Sequence, residues 1–357
     1  MVVVILAVLI IILTKNKPSE FQFKKKVSSQ RRSGLCSVVN IICPPLRWNS
    51  TGIMAIKNNV AIGDKSNEFT GPWDMVLYMS NTLYITDWGN SRVQKYFIGE
   101  TNGTTVAGQE NGTRGSNSTD LRYVKGIAIN NDETIYVADE GNHRIQRWYK
   151  NAAYGDTIAG ITGICVSSNK TLCNPQGLFL DETSNTLYIA DMSNHRIMSY
   201  QPGRPCCSLV AGGNGNGLAT NQLSSPYAVY FDSLSNSLLI ANQGANNIVR
   251  WTLGATNWNL VAGSTDGTNG TTSTRFYQPM DVMLDPMNNM YVVDAFNYRI
   301  QFFPAGESNG TTIAGSTSPF GSNPTSFFGP RSFILDNQLH LYVVDHWGHR
   351  ILKFLRY

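Results

Sequence analysis

From residue 72 onward, the chain alternates short apolar runs with turns rich in Gly, Asn, Ser and Thr. In the clearest stretch, four apolar runs follow one another, at residues 177–180, 187–190, 196–200 and 208–211. Runs of four or five residues are typical of β-strands and are too short for amphipathic helices. The pattern therefore predicts an all-β protein in which four strands form one unit.

The four-strand unit repeats along the chain. An Asp or Asn closes the second run of each unit, at 87, 139, 191, 242, 294 and 345, so the successive offsets are 52, 52, 51, 52 and 51 residues. In five units an Arg follows the Asp by five residues, whereas one unit carries Asn242 and Asn247 instead. A constant register over six units predicts a repeat architecture. The five pairs are Asp87 with Arg92, Asp139 with Arg144, Asp191 with Arg196, Asp294 with Arg299, and Asp345 with Arg350.

These units predict a six-bladed β-propeller of four-stranded antiparallel blades over residues 48–357. The last unit reaches Tyr357 after three apolar runs, so another segment is expected to supply its fourth strand. Residues 53–56 or 60–62 lie where such a strand belongs. Pairing either one with the last blade would close the ring and remove exposed sheet edges. An open solenoid of the same repeats is the alternative.

Two segments of the repeat carry a family resemblance. Asp139-Glu140-Gly141-Asn142-His143-Arg144-Ile145-Gln146 and the run from Asp191 to Ile197 resemble the signature of NHL repeats. The resemblance covers roughly residues 48–357 and implies the propeller fold. The family that it resembles includes RNA-binding modules, extracellular adhesion and sensor domains, and a peptide-amidating lyase, so function has to be argued from sites. YWTD-type propellers are a weaker match because their period is nearer forty residues.

Charge is distributed unevenly along the chain. Residues 1–47 hold eight basic side chains against the single acidic Glu20, although the whole chain has 28 basic and 24 acidic residues. The remainder, with 20 basic and 23 acidic residues, is slightly acidic. A surface that neutralises phosphates needs a net basic domain or a dense Lys and Arg stripe. Nucleic acid is therefore not expected as a partner.

The repeated Asp and Arg are interpreted as a structural pair that bridges the hairpin between the second and third strands. His143, His195 and His349 occupy the position before the motif Arg. Equivalent positions on a ring diverge, so these histidines are not expected to share a zinc ion, although the amidating lyase uses zinc on such a scaffold. The sequence also lacks a Gly-x-Ser-x-Gly elbow, a phosphate loop and a Cys-x-x-Cys pair. No catalytic residue, metal ligand or cofactor is assigned.

Cysteines and glycosylation sequons favour an oxidising compartment. Cys165 and Cys173 flank one loop and Cys36 and Cys43 lie before the propeller, so each pair is a candidate disulfide. The adjacent cysteines at 206 and 207 fit either a vicinal bridge or two free thiols. N-glycosylation sequons lie in segments predicted to be loops, at Asn49, Asn102, Asn111, Asn117, Asn169, Asn269 and Asn309.

The N-terminal region predicts a membrane association. Residues 1–14 form an apolar segment, interpreted as a signal-anchor or a truncated transmembrane segment, and residues 15–47 form a basic juxtamembrane linker. An apolar run of 13 residues is shorter than the roughly 20 that span a bilayer. The basic flank would hold the propeller in the cytoplasm by the positive-inside rule, whereas cysteines and sequons place it outside. We expect a membrane-anchored protein with an extracellular propeller, or a secreted one.

Two functions fit these features. The first is a non-enzymatic recognition module that presents variable loops on one propeller face to a protein, peptide or glycan partner. Its candidate anchors are Trp88, Phe296 and Trp347, which lie in turns between the motif Asp and Arg. The alternative is a metal-dependent enzyme, similar to a peptide-amidating lyase or a lactonase, with a divalent metal in the central pore. Carboxylates or histidines that converge at the pore would favour the alternative.

Overall fold

The computed structural model describes residues 46–56, 62–204, 206–316, 321 and 323–357. The apolar segment predicted at 1–14, nearly all of the basic linker, and the candidate pair Cys36 and Cys43 lie outside the described residues. No helix within the described part of the chain is both long enough and apolar enough to cross a membrane.

The described residues form six four-stranded antiparallel sheets, as predicted, and these sheets are the blades of a propeller. The first blade contains β2 (Pro72–Tyr78), β3 (Thr82–Asp87), β4 (Arg92–Phe97) and β5 (Thr104–Ala107). The second contains β6 (Val124–Ile129), β7 (Ile135–Asp139), β8 (Arg144–Trp148) and β9 (Asp156–Gly160). The third contains β10 (Pro175–Asp181), β11 (Thr186–Asp191), β12 (Arg196–Tyr200) and β13 (Ser208–Gly212). The next two are β14 (Pro226–Asp232), β15 (Ser237–Asn242), β16 (Asn247–Thr252) and β17 (Asn259–Gly263), and β18 (Pro279–Leu284), β19 (Met290–Asp294), β20 (Arg299–Phe303) and β21 (Thr311–Gly315). The sixth blade contains β1 (Ile53–Met54), β22 (Pro330–Leu335), β23 (Leu341–Asp345) and β24 (Arg350–Phe354).

The sixth blade is closed by a strand from the other end of the chain, as predicted. Strand β1 pairs antiparallel with β24, with Ile53 opposite Lys353. The Trp48 indole N–H donates to the Leu339 carbonyl at 2.8 Å, and its ring packs against Tyr291 and Phe302. The first of the two predicted closing segments is therefore the one used. The open solenoid is excluded because β22 also contacts β2 across the seam.

The first strand of every blade lies nearest the central axis, where it contacts the first strands of the neighbouring blades. Five of these strands begin with proline, which needs no amide partner at a strand's first residue. Apolar side chains from β-strands of adjacent blades pack between the sheets, and most of them are fully buried. The core is thus a set of layers between blades, which holds the ring rigid around its axis.

The motif Asp and Arg meet in every blade that has both. Arg144 Nε donates to Asp139 Oδ2 at 2.7 Å, and the other oxygen of Asp139 accepts the Arg122 amide at 2.7 Å. The guanidinium also donates to the carbonyls of Ser116 and Asn117, which lie in the loop before the blade. Burial raises the pKa of the Asp139 carboxyl, despite the arginine beside it. The pair therefore ties a turn, a hairpin and a loop together. The other buried pairs are Asp87 with Arg92, Asp191 with Arg196, Asp294 with Arg299, and Asp345 with Arg350.

The histidines before the motif Arg join one blade to the next. His143, His195 and His349 have left-handed backbones, with φ of 58°, 53° and 50°. Their Nδ1 atoms accept the backbone amides of Asn174, Ser225 and Gly71, each at the start of the following blade. In the degenerate blade, Asn246 Oδ1 accepts the Gln278 amide at 2.8 Å in the same way. These histidines are structural links, and each of them must be neutral at Nδ1 to accept its bond.

Candidate functional site

One face of the ring combines the turns between second and third strands with the ends of the loops between blades. The register shows this, because Pro72 lies opposite Asp87 and Arg196 lies opposite Gly212. The middle of each loop leaves the face and follows the outside of the next blade, where the Gly155 amide donates to the Ser118 carbonyl at 2.8 Å. We call the combined turns and loop ends the loop face. Loops of different sequence on a constant frame are a usual location for recognition.

Aromatic side chains surround the centre of the loop face. Trp88 is half-buried and stacks on Tyr123 at 5.2 Å between ring centroids. Trp347 is 49% exposed and contacts the buried His346 ring at 4.4 Å. Phe296 is 39% exposed and lies against the Tyr277 ring. The three predicted anchors are therefore all at the surface, and Trp88 and Trp347 form one group because both contact His346.

His346 supports this aromatic group from below. Its Nδ1 lies 3.1 Å from the Pro72 carbonyl and donates to it, and its ring meets Trp73 edge-on at 4.5 Å. Burial, with a smaller effect of the nearby Arg331, lowers the pKa of His346 to about 3. The imidazole is therefore neutral at physiological pH and acts as a packing group, and sequence reasoning gave it no role.

The centre of the loop face opens into the axial channel, which is lined by two rings of side chains. The upper ring is formed by the second residue of each first strand, and the lower ring by the third residue. The strands converge here, so two positions of the lower ring require glycine: a Cβ on Gly126 would lie 2.3 Å from the Gln176 carbonyl, and one on Gly177 would lie 2.8 Å from the Tyr227 carbonyl. The upper ring is Trp73, Lys125, Gln176, Tyr227, Met280 and Arg331, and the lower ring is Asp74, Gly126, Gly177, Ala228, Asp281 and Ser332.

Two cations of the upper ring share one indole. Lys125 Nζ lies 3.0 Å from the Trp73 ring centroid, and the Arg331 guanidinium carbon lies 4.9 Å from it. Lys125 is only 7% exposed. Burial and, to a smaller extent, the charge of Arg331 lower the pKa of Lys125 to about 7, against the opposing effect of Glu140. Burial also lowers the pKa of Arg331. Neither cation forms an ion pair within the described residues, where Glu140 accepts a bond from Asn174 and Arg331 Nη1 donates to the Met280 sulfur at 2.8 Å.

Several polar atoms of the upper ring have no hydrogen-bond partner among the described residues. These donors and acceptors are buried. Native proteins rarely leave buried polar atoms unpaired. Tyr227 and Gln176 are 7% and 2% exposed. Burial raises the pKa of Tyr227. The nearby Trp73 N–H partly opposes this rise, although it does not reach hydrogen-bond geometry with the hydroxyl. The unpaired atoms are Trp73 Nε1, Gln176 Oε1, Tyr227 OH and Arg331 Nε.

The lower ring carries two carboxylates that meet at a serine. Ser332 Oγ lies 2.5 Å from Asp74 Oδ1 and 3.0 Å from Asp281 Oδ2, so its single O–H can donate to either carboxylate. Asp74 Oδ2 also accepts the Ile127 amide at 3.0 Å, and Asp281 Oδ1 accepts the Val282 amide at 2.9 Å. The free volume open to water between the two rings is about 30 Å³, enough for one or two waters. A polar plug thus narrows the channel beneath the cationic ring.

Within the described residues, one group of three side chains has the residue types and the spacing that could bind a metal. His143, Cys165 and Cys173 lie within 4.8 Å of one another, and the two cysteines are joined in a disulfide, as predicted. A disulfide leaves no thiolate for a metal, so this group is not a metal site. Cys206 and Cys207 are two free thiols and do not form the vicinal bridge that was the other alternative.

The upper ring was missed by sequence reasoning because its six residues are all different and follow no repeat template. The signal that could have found it is positional. Each ring residue directly follows the first residue of the strand that begins a blade, which is proline in five of the six blades. A propeller's first strands line its axis, so this position is a channel position once the fold is known.

Comparisons with known proteins agree with the fold. The sequence model of the NHL repeat family matches residues 121–148, a segment that includes the first of the two signature runs. The chain is a six-bladed β-propeller with an NHL repeat. The Arabidopsis thaliana protein SUPPRESSOR OF QUENCHING 1, chloroplastic, is 26% identical over 204 residues, which cover 50% of this chain and only 19% of that protein.

Two solved propellers illustrate the range of proteins that share this fold. An auxiliary nutrient binding protein from Bacteroides thetaiotaomicron superposes with a TM-score of 0.61 at 15% identity, covering 81% of this chain and 69% of that one. A gluconolactonase from Xanthomonas campestris superposes with a TM-score of 0.58 at 12% identity, covering 88% of this chain and 99% of that one. At these identities the likeness concerns the fold, and function has to come from the site.

Proposed function

We propose that this propeller is a non-enzymatic recognition module that binds a protein, peptide or glycan on its loop face. The observation that carries the proposal is the aromatic group around the channel mouth, where Trp347 is 49% exposed and Trp88 stacks on Tyr123. Exposed aromatic side chains held by a rigid frame are frequent hot spots of interfaces. Arg114 adds a cation to this group, because its guanidinium lies 4.4 Å from the Tyr123 centroid.

The proposed location is extracellular, either secreted or membrane-anchored. The Cys165–Cys173 disulfide supports an oxidising compartment. The seven sequon asparagines are all exposed, which makes each accessible to a glycan. Expression of the full chain in a secretory system should therefore add mass that a glycan-cleaving enzyme removes. A membrane-bound product that carries no glycan on any sequon would contradict the extracellular orientation.

The binding test uses the full chain on a glycan array and in a displayed-peptide library. We expect Trp347→Ala to reduce binding of the selected ligands about tenfold or more, as for a hot spot, with little change in melting temperature. Trp88→Ala should also weaken binding, at a stability loss of about 1 kcal/mol from its stacking contacts. The matched control is Tyr154→Ala, an aromatic that is 61% exposed on the opposite side of the ring. Equal binding by all three variants would refute the location.

A second candidate is a metal-dependent enzyme in the channel. It is supported by the two carboxylates of Asp74 and Asp281, which both reach Ser332, and by the solved gluconolactonase with the same fold. Asp74 and Asp281 would hold a divalent cation, which would polarise the carbonyl of a bound lactone. Calorimetry with Ca²⁺, Mg²⁺ and Zn²⁺ should then detect binding that Asp74→Asn and Asp281→Asn remove, together with lactone hydrolysis that follows the metal. Absence of cation binding at millimolar concentration would exclude this candidate.

A further inference from the structure

The upper ring of the channel holds three buried donor atoms that lack a hydrogen-bond partner among the residues that the structure describes. We call Trp73, Lys125, Tyr227 and Arg331 the donor collar. Within the described residues, the indole N–H, the tyrosine hydroxyl and the arginine Nε–H of this collar have no acceptor. Leaving such groups buried and unpaired is unfavourable, and native proteins rarely do so. A ligand that accepts these bonds would remove that unfavourable cost.

Charge points to the sign of the ligand. Lys125 and Arg331 lie against the same indole and repel each other, and the Arg331 charge contributes to the low pKa of Lys125. Glu140, whose charge opposes this lowering of the Lys125 pKa, accepts a bond from the Asn174 side chain at 2.8 Å and forms no ion pair with either cation. Buried charges are normally paired, so two unpaired cations at one site indicate a place for an anion.

Size and surroundings select the kind of anion. The free volume beside Trp73, Tyr227 and Arg331 is about 30 Å³, which suits a small planar group. The carboxylates of Asp74 and Asp281 lie directly below and would repel a doubly charged anion that reached further down. A planar carboxylate can take two parallel bonds from a guanidinium and needs only one negative charge.

We propose that the donor collar binds the carboxylate group of a small organic acid that enters from the loop face. Arg331 Nε and the Lys125 ammonium neutralise the charge, while Trp73 Nε1 and the Tyr227 hydroxyl donate to the carboxylate oxygens. The body of the acid then lies toward Trp88 and Trp347, whose rings surround the mouth. This site stands whether or not the loop face binds a macromolecule.

The test is calorimetry of the full chain with acetate, benzoate, inorganic phosphate and neutral benzamide. We expect benzoate to bind, and Lys125→Met and Arg331→Met each to weaken it about tenfold or more, as for a charge-assisted bond. Tyr227→Phe removes one hydroxyl and keeps the ring, so it should weaken binding without harming the fold. Lys170→Met, an exposed lysine outside the channel, is the matched control.

Proton uptake provides a second readout. A bound carboxylate raises the pKa of Lys125 back toward its ordinary value, so binding near pH 8 should take up protons. The measured heat should then differ between Tris and triethanolamine buffers, and the difference should vanish in Lys125→Met. No carboxylate binding at tens of millimolar, unchanged affinity in both methionine variants, or equal affinity for phosphate or benzamide would overturn the proposal.

Discussion

Replacing Lys125 by methionine should make the folded protein more stable. Methionine keeps the length and the contact with the Trp73 ring but removes a buried charge that forms no ion pair with any described residue. The pKa of Lys125 falls from 10.5 in a solvated chain to about 7 in the fold, which corresponds to a penalty of at most about 5 kcal/mol for the charged form. The cation–π contact with Trp73 offsets about 1–2 kcal/mol of it. We expect a net gain of about 2–4 kcal/mol at pH 6.5.

The pH dependence of this gain follows from the direction of the shift. Below pH 7 the lysine is charged in both the folded and the unfolded chain, so the whole penalty is present. Between about 7 and 10.5 the folded protein releases the proton while the unfolded chain keeps it, so the wild-type protein becomes more stable as the pH rises. The advantage of Lys125→Met should therefore shrink by about 1–3 kcal/mol between pH 6.5 and pH 9.

Urea denaturation at these two pH values, followed by tryptophan fluorescence, measures the difference between variant and wild type. Because other groups titrate equally in both proteins, their contributions cancel in the difference between the two free energies of unfolding. Only the Lys125 contribution remains in that difference. Lys170→Met should show no difference from wild type at either pH, since this lysine is exposed. A destabilised Lys125→Met protein, or a gain that does not change with pH, would refute the reasoning.

Three further predictions concern the frame. Deleting residues 48–62 removes β1 and opens the ring, so the protein should aggregate or melt well below wild type in size-exclusion and thermal assays; a monomer with unchanged melting would contradict this. Asp139→Ala leaves a buried guanidinium unpaired and should cost about 3–5 kcal/mol in denaturant titration, against little effect at binding sites. His195 has a pKa lowered by burial, so its stabilising link is complete above 6.5 and is lost as the pH falls from there toward the folded value. His195→Asn should keep the acceptor and abolish this pH dependence, whereas His195→Leu should lose about 1 kcal/mol at pH 7.5.

The strand order of this protein could be predicted because the repeat fixes each element. The Asp closing a second strand and the Arg opening a third are paired opposite one another, as Asp139 and Arg144 are. The closing strand was predicted as one of two segments, and the structure uses 53–54 because Trp48 anchors the chain just before it. Periodicity carries this information since blades must repeat to pack side by side.

The channel could not be predicted by the same reasoning. Side chains that face an axis are not constrained to match one another, so the upper ring has six residue types in six blades and gives no periodic signal. The linking histidines were visible in sequence but their bonds were not. Their partners are backbone amides in the next blade. In two other blades, Ser91 and Asn246 occupy the position of the histidine and accept the equivalent amide bond. The shared property is an acceptor atom on a left-handed residue rather than a residue type.

The seam between β1 and β24 determines the order in which the protein can be completed during synthesis. The bond from Trp48 to Leu339 joins positions 291 residues apart, so the segment with β1 leaves the ribosome long before its partner exists. Each of the other blades is assembled from consecutive hairpins and can form as its own residues emerge. Strand β1 therefore has no partner strand until the residues of β24 have been synthesised, and an unpaired strand edge can pair with other chains during that interval.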